Sequence, residues 1–180
     1  MLFAFRGLPH NAKNLDSVGT NMRMAQELTI RQMHGTKDGE PPQSEIFIHE
    51  NPTGKFVQGL VLEAAVFWEN RYLLLTTDDC PFEEMLGIRL LDAGFNLLDS
   101  ARIGGIYSTG SFDSLELIEP NRLRFLFIGD TWWDIELLPH RRFRLPWVSE
   151  PSGVWRSFSF SRHFIVRGNP QPETGRSRLT

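Results

Sequence analysis

Residues 114–139 read SLELIEPNRLRFLFIGDTWWDIELLP, and the span from Leu115 to Leu138 within them decides the fold. Two turn signals, Pro120-Asn121 and Gly129-Asp130, divide it into three apolar runs. In the middle run Leu123, Phe125 and Phe127 share one parity, with Arg122 and Arg124 on the other. In the third run Trp133, Ile135 and Leu137 alternate with Asp134 and Glu136. A period of two marks a strand with one dry face and one wet face. The span therefore predicts a three-stranded antiparallel meander, in which the two arginines can pair across the ladder with Asp134 and Glu136.

The same pattern extends outward. Glu45 to Glu50 alternates, and Asn51-Pro52-Thr53-Gly54 after it reads as a turn. Lys55 to Trp68 is long for one strand, and Gly59 marks a bulge or bend inside it. Glu69-Asn70 makes a tight connection to Tyr72–Thr77, and Ile88–Asp92 forms a hairpin with Leu97–Ile103. Arg156 to Val166 reads as a last strand, with Phe158, Phe160 and Phe164 on one face. Residues 1–44 are expected to be an N-terminal extension, with a short helix over 21–33 and a linker at 34–44. Residues 45–167 form a single antiparallel β domain, and 168–180 a flexible tail. The predicted class is mainly all-β, a meander closing into a sandwich or small partly closed barrel of about eight or nine strands.

Bulk properties narrow the setting. A chain of 180 residues with 41% apolar content can build one packed core. Its net charge of −3 is unevenly spread. Residues 45–140 carry six basic and sixteen acidic side chains, whereas residues 141–180 carry eight and two. One cysteine, Cys80, excludes an internal disulfide and fits a reducing compartment. The N-terminus has no convincing signal-peptide core, and no apolar run approaches the ~18 residues of a membrane helix. The expectation is a cytoplasmic, bacterial-type protein.

Catalytic patterns are missing from the sequence. The five histidines are scattered, no phosphate-binding glycine loop precedes a helix, and there is no nucleophile elbow. No cofactor and no metal is expected, and the reading leans away from an enzyme. Asp78, Asp79, Glu83 and Glu84 form an acidic cluster, which suits a solvated turn or a docking lip better than a cation site. Trp132 shares its strand face with Asp134 and Glu136, so it could present a ring rimmed by carboxylates. The run His140, Arg141, Arg142 and Arg144, with Phe143 and Trp147 interleaved, has the residue types of a nucleic-acid patch. The acidic middle opposes nucleic acid, and surface salt bridges are the expected role of that run.

The leading expectation is a non-enzymatic protein-binding domain. Its acidic surface, built from Asp78, Asp79, Glu83, Glu84, Trp132, Asp134 and Glu136, would dock a basic protein, as an immunity-type protein neutralises a toxin. A second expectation is a β-barrel enclosing a small apolar ligand among Phe125, Phe127, Trp133, Phe158 and Phe160. A third is an assembly module that pairs an open edge strand with another chain.

Overall fold

The computed structural model describes residues 22–33, 41–78, 85–104, 110–128, 131–145 and 150–169. The described residues form antiparallel sheets and no helix. Thirteen strands follow in order: β1 (Arg23–Met24), β2 (Leu28–Gln32), β3 (Gln43–Ile48), β4 (Asn51–Gln58), β5 (Val61–Trp68), β6 (Arg71–Thr77), β7 (Leu86–Asp92), β8 (Leu97–Ile103), β9 (Asp113–Ile118), β10 (Arg122–Leu126), β11 (Trp132–Phe143), β12 (Val154–Trp155) and β13 (Ser161–Arg167). They assemble into three sheets, ordered β1-β5-β6-β7-β8-β12, β13-β11-β10-β9 and β2-β3-β4.

The expected meander is present. Leu123 faces Ile135 and Phe125 faces Trp133 across β10 and β11, with β9 on the far side of β10. Trp132 and Trp133 split as alternation requires, the first 43% exposed and the second 1%. The buried Trp133 donates its indole N–H to the Phe127 carbonyl at 2.7 Å, so the ring enters the core without an unsatisfied donor.

The six-stranded sheet lies between the other two. Leu73, Leu74 and Leu75 on β6 are each 0% exposed. Consecutive strand residues point to opposite faces, so such a run is dry only if both faces are covered. Leu73 and Leu75 pack with Val66, Ile88, Leu90 and the meander residues Phe125, Trp133 and Ile135. Leu74 packs on the opposite side with Ala65, Leu91 and the three-stranded sheet's Leu28, Ile46 and Val57. The result is two cores sharing one wall, rather than one sandwich or barrel.

The N-terminal helix is a misreading of β1 and β2. Arg23 and Met24 pair with Phe67 and Val66, and Leu28 through Gln32 pair with Ile48 through Ser44. The thin apolar stripe of 22–33 serves a strand register, with Met22, Ala25 and Leu28 buried. The turn between β3 and β4 is also displaced. It sits at His49-Glu50, with φ of 46° and 64°, and Asn51 to Gly54 lie within β4. Because β4 is an edge strand, Pro52 costs no ladder donor there.

Candidate functional site

The three-stranded sheet leaves the β7–β8 end of the middle sheet's second face uncovered. Over that end lies a cleft of about 500 Å³, lined by Gln58, Arg89, Leu97, Ser100, Arg102, Trp155 and Ser157 among others. Strand registers explain its composition. Arg89 pairs with Ser100 and Gly87 with Arg102, while Trp155 on β12 pairs with Arg102. Paired residues share a sheet face, so these side chains form one floor and wall. Gln58, at the end of β4, supplies the opposite wall.

Arg89 and Arg102 converge on a single acceptor. Arg89 donates to the Gln58 Oε1 at 2.9 Å, and Arg102 donates to the same oxygen at 2.6 Å. Arg89 also donates to the Thr76 hydroxyl at 2.9 Å. Neither guanidinium forms an ion pair among the described residues. Burial, and then the charge of Arg102, push the pKa of Arg89 down to about 10, with Asp78 pulling the other way. Arg89 therefore stays cationic at neutral pH, beside a second cation, with one neutral amide between them.

Two glycines make room for this arrangement. A Cβ on Gly87 would lie 2.5 Å from Arg89 Nη1. Gly59 has φ +115°, and a Cβ there would meet the Thr76 Cβ at 2.6 Å. Instead of a bulge or bend within one strand, Gly59 lies at the break between β4 and β5, which belong to different sheets, and it closely approaches the residue that holds Arg89. A smaller recess lined by Pro41, Thr76, Asp78, Met85 and Gly87 adjoins the cleft through Gln58, Arg89 and Arg102.

One wall of the cleft is pinned by buried charges. Arg156, whose side chain is 3% exposed, forms an ion pair with Asp99 at 3.0 Å and donates to the Phe164 carbonyl at 3.1 Å. Asp99 also accepts the backbone N–H of His163 at 2.7 Å. Glu150 lies 3.3 Å from Arg156 and 3.4 Å from Arg162. These contacts tie β8 to β13 and hold Trp155 beside Arg102.

The residues singled out in sequence fall in other places. Asp134 pairs with Arg124 at 3.0 Å and Glu136 with Arg167 at 2.6 Å, so both carboxylates are matched within their own sheet. Trp132 is exposed, with the Arg124 guanidinium 5.9 Å from its ring centre. Asp78 borders the smaller recess, and Asp79, Glu83, Glu84 and Cys80 lie outside the described residues. Phe125, Phe127 and Trp133 are packed in the core, whereas Phe158 and Phe160 are 71% and 47% exposed. These five rings do not line a common cavity, because the chain before Ser161 leaves the sheet and β13 begins only there.

Phe143, Phe158 and Phe160 instead cluster outside, with centroids 6.2 Å apart for the first and third and 5.2 Å for the last two. Arg141, Arg142 and Arg144 nearby form no salt bridge among the described residues. Trp147 lies outside the described residues. The edge strand β9 carries Ser114 at φ 54° and a register shift against β10, irregularities that blunt pairing with another chain. Among the described residues there is no group of three or more His, Cys, Asp or Glu side chains that could hold a metal ion, and no helix long and apolar enough to cross a membrane. Comparison with protein-family models, curated proteins and solved structures gave no match.

Proposed function

We propose that this protein is a non-enzymatic binding module that captures a small anionic ligand in the cleft over β7 and β8. One observation carries the reading: Arg89 and Arg102 share the Gln58 oxygen, and neither forms an ion pair with a carboxylate among the described residues. Guanidinium groups are the side chains best suited to carboxylate and phosphate recognition. An anion entering between them relieves their mutual repulsion and uses donors that Gln58 leaves idle. The cleft volume of about 500 Å³ falls in the range of small-molecule sites. Docking of a basic protein on Asp134 and Glu136 is the weaker reading, because that partner would first have to displace Arg124 and Arg167.

Calorimetric titration with inorganic phosphate, pyrophosphate and citrate tests the proposal. Saturable binding is expected, weakening with added salt. Arg102→Gln should reduce it roughly tenfold or more, the loss of one or two charge-assisted hydrogen bonds. Arg102 is exposed, so the substitution leaves the fold intact. Equal affinity in wild type and Arg102→Gln, or no binding of any of the three anions, overturns the reading.

A further inference from the structure

The cleft is more than a pair of cations, and its second half points to the rest of the ligand. We infer that the ligand is a phosphate monoester carrying a flat ring, with the phosphate held by Arg89 and Arg102 and the ring laid on Trp155. This inference rests on the anion-binding reading above and extends it in two respects.

The first is charge. A carboxylate neutralises one of two adjacent guanidiniums. A phosphate monoester carries close to two negative charges at neutral pH and three acceptor oxygens. The donors present match that count. Arg89 uses one N–H on Thr76 and one on Gln58, and Arg102 uses one on Gln58. A guanidinium has about five N–H donors, so most of them have no acceptor among the described residues. The hydroxyl-bearing Ser100 and Ser157 line the same space.

The second is size and surface. A bare phosphate would leave most of a cleft of about 500 Å³ to water. The remaining lining includes Trp155, 63% exposed, and Leu97, 59% exposed. Trp155 stands directly across the ladder from Arg102, so a flat group attached to a phosphate on the arginines reaches the indole. The neighbouring residue, Arg156, is anchored at 3.0 Å to Asp99, which fixes the strand that presents the ring. An indole on a strand anchored by its neighbour offers a flat stacking face beside the arginines.

The test compares phenyl phosphate, inorganic phosphate and benzoate on the full chain, by calorimetry, in wild type and Trp155→Ala. Phenyl phosphate should bind roughly tenfold more tightly than inorganic phosphate, the range of one aromatic stacking contact. Trp155→Ala should erase that difference, so that phenyl phosphate and inorganic phosphate bind the variant about equally. Benzoate should bind more weakly than phenyl phosphate in wild type. Circular dichroism confirms that Trp155→Ala is folded, and Trp155→Phe, which keeps a stacking face, should retain most of the gain. If inorganic phosphate binds but phenyl phosphate gains nothing, or gains equally in Trp155→Ala, the ring assignment is wrong while the anion site stands. If benzoate matches phenyl phosphate, the phosphate assignment is wrong. If neither phosphate compound binds while citrate or benzoate does, this inference fails and the anion site stands; if no anion binds, both fail.

Discussion

Replacing Arg156 with methionine removes the cation that pairs with Asp99 from the charge cluster that joins β8 to β13. The side chain is 3% exposed and Asp99's is 7% exposed, so Asp99 would be left charged and largely without water. Asp99 would keep the His163 N–H at 2.7 Å but lose its ion pair at 3.0 Å. The Phe164 carbonyl would lose its 3.1 Å donor from Arg156, and Phe164 would lose the guanidinium stacked 4.1 Å from its ring centre. The contacts to Glu150, at 3.3 and 3.4 Å, lack aligned hydrogen bonds and weigh less. Removing one partner of a buried pair costs about 3–5 kcal/mol. With a urea dependence of about 2 kcal/mol per molar, the midpoint should fall by about 1.5–2.5 M. Burial already pulls the pKa of Arg156 down against the opposing pull of Asp99 and Glu150, so the cluster bears a desolvation cost. Neutralising Asp99 as well, in Asp99→Asn/Arg156→Met, while keeping Glu150 for Arg162, should therefore restore at least about half of the loss rather than deepen it. Urea titration followed by circular dichroism measures both variants. A cost below about 1 kcal/mol for Arg156→Met would refute the reasoning, because that is the scale of a solvated pair.

Other substitutions separate fold from site. Gly87→Ala should cost about 1 kcal/mol or less, because the clash at 2.5 Å is with the movable end of Arg89, yet it should weaken anion binding measurably. Gly168→Ala should cost about 1–3 kcal/mol in denaturant titration, since its new Cβ would lie 2.3 Å from the buried, rigid ring of Trp133. Trp133→Phe should cost about 2 kcal/mol or more, combining lost volume with an unsatisfied Phe127 carbonyl. His163 has its pKa lowered, chiefly by burial and further by Arg71 and Arg141, with Asp99 opposing. The folded state then binds the His163 proton less readily than the unfolded state, so its contribution is complete above the unfolded pKa and declines as pH falls from there toward the folded value. Stability measured from pH 7 downward should decline less in His163→Asn than in wild type; parallel declines would exclude His163 as the source.

Much of the fold was legible because alternation is a strong local signal. Leu123, Phe125, Phe127, Trp133, Ile135 and Leu137 are all buried, as their parity requires. Gly59 and Glu69-Asn70 also fall where β4, β5 and β6 divide. The misreadings have physical causes. His49-Glu50 lacks the glycine or asparagine that usually marks a turn with two positive φ values, while Asn51 to Gly54 has the stronger turn chemistry and lies inside an edge strand. Residues 22–33 are too short and too polar for their period to be read, and their structure comes from pairing with β3 and β5. The cleft was not legible. Arg89 and Arg102 are single charges on separate strands, Gln58 belongs to a third, and Trp155 is 53 residues beyond Arg102 in sequence. Only register brings them together, and register between distant strands leaves no local trace.

That division has a consequence for how the molecule assembles. β5 through β8 pair with successive neighbours, as do β2 through β4 and β9 through β11. Hairpin ladders of this kind close short loops and form early, whereas contacts between distant segments form later. Arg89, Ser100 and Arg102 therefore take their places when a local ladder zips, before Trp155 arrives from the far end of the chain. Pulse-labelled amide exchange during refolding should show protection of β7 and β8 preceding protection of β12. The binding surface would then be completed by one of the last pairings to form, so its occupancy reports that β12 has docked on β8.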